Sequence, residues 1–188
     1  MDSDLASDRS LEVFYTLLCP IKSSLITIMK WFKLLNFCAQ CSFLKAEAYT
    51  RLSNADKAKE NYNKGVTLAF ERWGKDASSF IADGGAYAFN SKDQQSMLTS
   101  ILTQKWIAAT RCQAWDSWFD INRTGIPALG TTFPDEEGYV WGNLTPCIGS
   151  ALGAGEYPRR LLYPKGSSDY NTNTPPVIPL QEKQWWHK

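Results

Sequence analysis

Between Ser91 and Pro127 the apolar residues Leu98, Ile101, Leu102, Ala109, Cys112, Trp115 and Phe119 recur every three or four positions, which collects them on one face of a helix. The spacing predicts a single long helix. Ser91 followed by Gln94 has the signature of a capping box, and Thr124-Gly125 ahead of Ile126-Pro127 marks the end, where glycine adopts the left-handed cap and proline cannot continue the ladder. At ~1.5 Å per residue the element would be roughly 45–50 Å long. Lys105 and Asp116 fall inside the apolar stripe, so each is expected to find a partner elsewhere in the fold or to reach water along its stem.

Upstream, Ala39 to Leu52 reads as a helix, Ser53-Asn54 as a turn and N-cap, and Asp56 to Trp73 as a second helix stopped at Gly74. Ala46, Tyr49, Ala58, Tyr62 and Gly65 have the spacing of one tetratricopeptide unit, with small residues where two helices approach and aromatics beside them. Lys75 to Asn90, centred on Gly84-Gly85, is a linker. After Pro127, recurring Gly and Pro exclude any long element. Loops, turns and a brief strand near Arg160–Tyr163 are expected, with Leu161, Leu162, Tyr163, Val177, Ile178, Trp185 and Trp186 docked to order them. Residues 1–38 are unplaced. Their acidic start and the interruptions Pro20, Lys22, Lys30 and Lys33 suit neither a signal peptide nor a spanning helix, although Ser24–Phe37 could form an amphipathic helix.

Composition narrows the chemistry. The 188 residues suit one domain, and a net charge of +1 leaves no electrostatic footprint for nucleic acid. Five cysteines (Cys19, Cys38, Cys41, Cys112 and Cys147) form no disulfide framework, and Cys38-x-x-Cys41 lacks the further ligands zinc needs, so buried, inert thiols are expected. The one histidine, His187, reads as a solvated tail group, which leaves no base for a nucleophile; no catalytic residue, metal or cofactor is assigned. Asp135-Glu136-Glu137 is a solvated acidic run without the alternating oxygens of a calcium loop. Trp106, Trp115 and Trp118 belong to the core or its edge by their spacing.

Three ordered blocks carry a resemblance. They are Phe43-Leu44-Lys45-Ala46-Glu47-Ala48-Tyr49 with Tyr62-x-x-Gly65-Val66; then Gln104-Lys105-Trp106 through Ala114-Trp115 to Arg123-Thr124-Gly125-Ile126-Pro127; and Tyr157-Pro158-Arg159-Arg160-Leu161-Leu162-Tyr163-Pro164, with Asp169-Tyr170-Asn171-Thr172-Asn173 and Trp185-Trp186. Over about 150 residues the chain resembles the C-terminal portion of the SusD/RagB family of nutrient-binding outer-membrane lipoproteins. Gln40, where the family often has an acidic residue, and Asn122-Arg123, in place of a common Arg-Arg, depart from it.

With the periodicity, the resemblance implies an all-α fold: a tetratricopeptide-like helix pair plus a long helix, with a loop-rich C-terminal segment wrapped on the helical scaffold over residues 39–188. It further implies non-catalytic capture of oligosaccharides or other nutrients for a SusC-like TonB-dependent transporter at the cell surface. The membrane would be met only through a lipid anchor that this chain lacks, which suggests the product of a truncated or frame-shifted gene.

Sugar recognition needs flat rings and neutral hydrogen-bonding groups. Tyr139, Trp141 and Asn143, in the glycine-rich stretch Phe133–Asn143, are the candidate ligand contacts; the competing assignment docks both rings on the scaffold. Arg159 and Arg160 suit an anion or a loop brace. Two other classes remain, a tetratricopeptide-type protein-binding module without glycan binding and a glycan hydrolase with two carboxylates across a cleft.

Overall fold

The computed structural model describes residues 37–132, 136–140, 142–145, 152 and 155–188. The chain is helical, in keeping with an all-α fold. The expected amphipathic helix over Ser24–Phe37, apart from its last residue, lies outside the described residues, as do Cys19, Asp135, Trp141 and Cys147.

The first two helices form the expected hairpin. Helix α1 covers 37–51 and α2 covers Ala55–Glu71. Asn54 caps α2 by accepting the Lys57 N–H at 3.1 Å, and Gly74 leaves it with φ +63°. Phe43 and Ala46 of α1 and Ala58, Tyr62 and Val66 of α2 are buried. The approach is close enough that a Cβ on Gly65 would sit 2.9 Å from the Phe43 ring. Phe43 meets Tyr62 edge-on at 6.3 Å.

The linker contributes to the core rather than skirting it. Ala77 and Phe89 are buried, Tyr62 packs on Phe89 at 5.2 Å, and the Tyr62 hydroxyl donates to the Tyr87 carbonyl at 2.8 Å. Between them α3 (Ser78–Ile81) makes one turn, and Phe80 stacks on Tyr87 at 4.7 Å.

The single long helix is not formed. In its place stand α4 (Gln94–Ala108) and α5 (Ala114–Thr124), joined by a turn in which Arg111 takes φ +69°. One ion pair shows how sharply the chain reverses. Lys105 Nζ lies 2.6 Å from Asp120 Oδ2, whereas fifteen residues of continuous helix would separate them by about 22 Å.

The start differs as well. Asp93, not Ser91, is the cap, accepting from the N–H of Ser96 at 2.8 Å, while Gln94 reaches the Thr50 carbonyl instead of the Ser91 amide. The end is as expected, since Gly125 has φ +70° and donates to Ile121 O at 2.7 Å.

The reversal also changes which side chains are covered. Ile121, Asn122 and Thr124 are the buried residues of α5, while Cys112, Trp115 (61% exposed) and Phe119 face outward, against the expectation that the stripe continues. Trp106 and Trp118 are half-buried. Of the two charges, Lys105 has its partner in Asp120, whereas Asp116 faces water in the first turn of α5, where the helix dipole favours an anion.

Beyond Pro127 the described residues contain no strand at 160–163. The β pairing present among them is one isolated bridge, Leu129 to Leu144. A six-residue helix, α6 (Lys165–Tyr170), was not anticipated.

The apolar tail residues dock less than expected. Leu161, Leu162, Tyr163, Val177 and Trp185 (95%) are exposed, and only Ile178 and Trp186 of that set are half-buried. Polar ties to α5 hold the segment instead. The Trp118 indole donates to Pro158 O at 2.7 Å, Arg159 donates to Asn122 Oδ1 at 3.0 Å, and the Lys188 N–H donates to Asn122 O at 3.1 Å. Trp186 adds a ring contact with Phe119 at 5.9 Å. Arg159 thus acts as a brace.

Candidate functional site

The polar residues of α4 that interrupt its apolar pattern form one wall of a cleft. Gln95, Thr99 and Thr103 stand one turn apart, and Ser100 and Gln104 repeat the interval beside them. Ala86 to Ala88 of the linker, the turn Thr124–Ala128 and the pair Gly142-Asn143 close the remaining sides around about 660 Å³, a volume in the range of ligand sites. The Asn143 loop is clipped in place by Gly130 N–H to Leu144 O at 3.0 Å and Leu144 N–H to Ala128 O at 2.7 Å.

The lining is rich in hydroxyls and amides, each able to donate and accept. Among the described residues its side chains include no carboxylate and no imidazole, and its one charged side chain is that of the exposed Lys188. Tyr87 supplies an exposed aromatic face, held flat by its stack on Phe80. Gln104 is only 4% exposed, and its Nε2 has no acceptor. An unmade hydrogen bond at a buried amide costs about 1–3 kcal/mol, so an acceptor that reaches Nε2 from the cleft is favoured. Such a lining can both donate to and accept from the hydroxyls of a ligand.

Charged groups gather on the other side of α5. Glu47 of α1 accepts from Arg51 at 2.7 Å and from Arg123 at 2.7 and 3.0 Å, and Arg123 also donates to Asp120 at 2.8 Å. Burial pushes the Glu47 carboxyl up, but the hydrogen bonds and charges of Arg123 and Arg51 outweigh it and hold the group below its ordinary value of 4.5. Gln40 joins α1 to α4 by donating to Lys105 O at 3.3 Å, a bond that an acidic residue at that position could not make.

His187 is not a free tail group. Its Nδ1 accepts the Gln184 N–H at 3.1 Å and its ring meets Trp186. Exclusion of solvent, then the cations Arg159, Lys183 and Arg160, lower its pKa. Cys38 and Cys41 are half-buried and Cys112 is exposed, with its Sγ 3.3 Å from an Arg72 nitrogen, so none of the cysteines among the described residues is fully buried as expected. Among the described residues no group of three or more His, Cys, Asp or Glu is placed to hold a metal.

Of the residues singled out from sequence, Asn143 lines the cleft. Tyr139 is half-buried in a turn where its N–H donates to Glu136 O at 3.3 Å, and it is not on the lining; Trp141 lies outside the described residues. Sequence reasoning passed over Tyr87 and the whole α4 wall. The signal was present in Gln95, Thr99, Ser100, Thr103 and Gln104, uncharged and at helical spacing.

A family profile described as starch-binding and associating with the outer membrane, the SusD-like profile, matches residues 22–164, roughly three quarters of the chain. No curated protein matches.

Proposed function

Because the chain belongs to the SusD-like family, we propose that it captures glycans or other nutrients at the bacterial outer membrane, without altering them, for delivery to a SusC-like TonB-dependent transporter. The observation that carries this reading is the α4 cleft, whose neutral hydroxyls and amides complement the hydroxyls of a sugar, with the Tyr87 ring available to stack on its apolar face. Asn143 contributes from the loop side, and Tyr139 and Trp141 of the same glycine-rich stretch are proposed as further ligand contacts. Family members are binding proteins, and the described residues contain no helix long and apolar enough to cross a membrane. A lipid anchor is the proposed membrane attachment.

The test is affinity electrophoresis and calorimetry of the full chain against soluble starch and a panel of neutral and acidic polysaccharides. Retardation by at least one, with the polysaccharide recovered at its original length, is expected. A folded chain retarded by none of them would overturn the proposal.

A further inference from the structure

Gln104 is buried in the cleft wall with its Nε2 unpaired, while the surfaces around it offer neutral groups almost throughout. A fold that needed only packing there would be served by an apolar side chain of the same length, with no orphaned donor. We infer that Gln104 is a specificity-determining residue, and that its amide takes an oxygen of a neutral, polyhydroxylated sugar ring entering the cleft. This rests on the glycan-capture reading and adds the ligand's charge class and the residue that selects it.

Three observations support it. The last torsion of a glutamine side chain is broad, so the amide turns toward an incoming acceptor at little cost. Thr103 and Ser100, on the same wall, offer hydroxyls that donate or accept as the ring requires. A carboxylated sugar, by contrast, would give up its hydration with only the exposed Lys188 to compensate, and an exposed cation gives little.

The experiment compares the full chain with its Gln104→Met variant, which keeps side-chain length and removes the donor. Thermal melts are paired with calorimetry on maltoheptaose and on an oligogalacturonide of equal length. Removing the orphan is expected to raise Tm by about 2–4 °C while weakening maltoheptaose binding about three- to tenfold; the oligogalacturonide should bind markedly more weakly than maltoheptaose.

A raised Tm with unchanged affinity would overturn the inference and leave the capture reading standing. Equal affinity for the two oligosaccharides would overturn the assignment of charge class. Failure of the unsubstituted chain to bind any glycan would remove the capture reading itself. Should Gln104→Met not melt cooperatively, Gln104→Leu, which also removes the donor, replaces it, with the same loss of affinity expected and unchanged affinity counting against the inference.

Discussion

Glu47 and Arg123, seventy-six positions apart, face each other across α1 and α5 in a two-pronged ion pair of 2.7 and 3.0 Å. The Glu47 side chain is 7% exposed and Arg123 39%, so one partner is buried and the other bridges to water. Removing the arginine strands the carboxylate with Arg51 alone.

Arg123→Ala is expected to destabilise the chain by about 2 kcal/mol, below the ~3–5 kcal/mol of a fully buried pair because of the solvent around Arg123. Urea unfolding measures it. A loss under about 0.5 kcal/mol would place Arg123 with ordinary surface pairs.

The same pair sets an acid limit. A carboxylate whose folded pKa is depressed contributes fully above its unfolded value of 4.5, and that contribution is lost as pH falls through the lower folded value. Melting temperatures of the chain and of Glu47→Gln, followed from about pH 6 to about pH 3, are expected to converge at the acid end. Parallel curves would mean that Glu47 does not titrate in that window.

Gly65→Ala tests the close approach of α1 and α2. The new Cβ would meet the rigid Phe43 ring at 2.9 Å, and overpacking of this kind costs about 1–3 kcal/mol, against the gain of somewhat under 1 kcal/mol that alanine brings to an open helix position. Paired with Phe43→Leu, which opens the site, the substitution should cost less than it does alone.

The beginning of α4 is decided by two serial substitutions. Asp93→Ala removes the side-chain cap on Ser96 and should cost about 1 kcal/mol, while Ser91→Ala should be close to neutral. The opposite ranking would restore Ser91 as the cap.

Trp118→Phe removes the indole donor to Pro158 O and keeps an aromatic ring against Phe119. Release of one hydrogen bond should speed trypsin cleavage at Arg159 and Arg160 about fivefold and lower the global Tm only slightly. An unchanged cleavage rate would show that the Asn122 ties alone hold the segment.

What was legible in the sequence depended on whether a feature was local. The α1–α2 hairpin could be read because Ser53-Asn54, Gly74 and the Ala46, Ala58, Gly65 spacing each announce their role nearby. The break after Ala108 could not, because its left-handed residue is Arg111 rather than glycine and the apolar interval runs on through it undisturbed. The tail misled for a related reason: its apolar content suggested docking by burial, while Trp118, Asn122 and Arg159 hold it through polar bonds between residues 37 to 40 positions apart. Asn143 was legible as a polar residue in a glycine-rich loop. The cleft it borders was not, since residues 86–88, 95–104, 124–128 and 142–143 are brought together only by tertiary folding.

The turn at Arg111 splits one stretch of sequence between two duties. Before it, α4 lines the cleft with Gln95, Thr99, Ser100, Thr103 and Gln104; after it, α5 ties down the C-terminal segment through Trp118 and Asn122. Under the proposed capture role, exchanging Gln95, Thr99 or Thr103 would alter what the cleft accepts and leave the ties of Trp118 and Asn122 to the C-terminal segment in place.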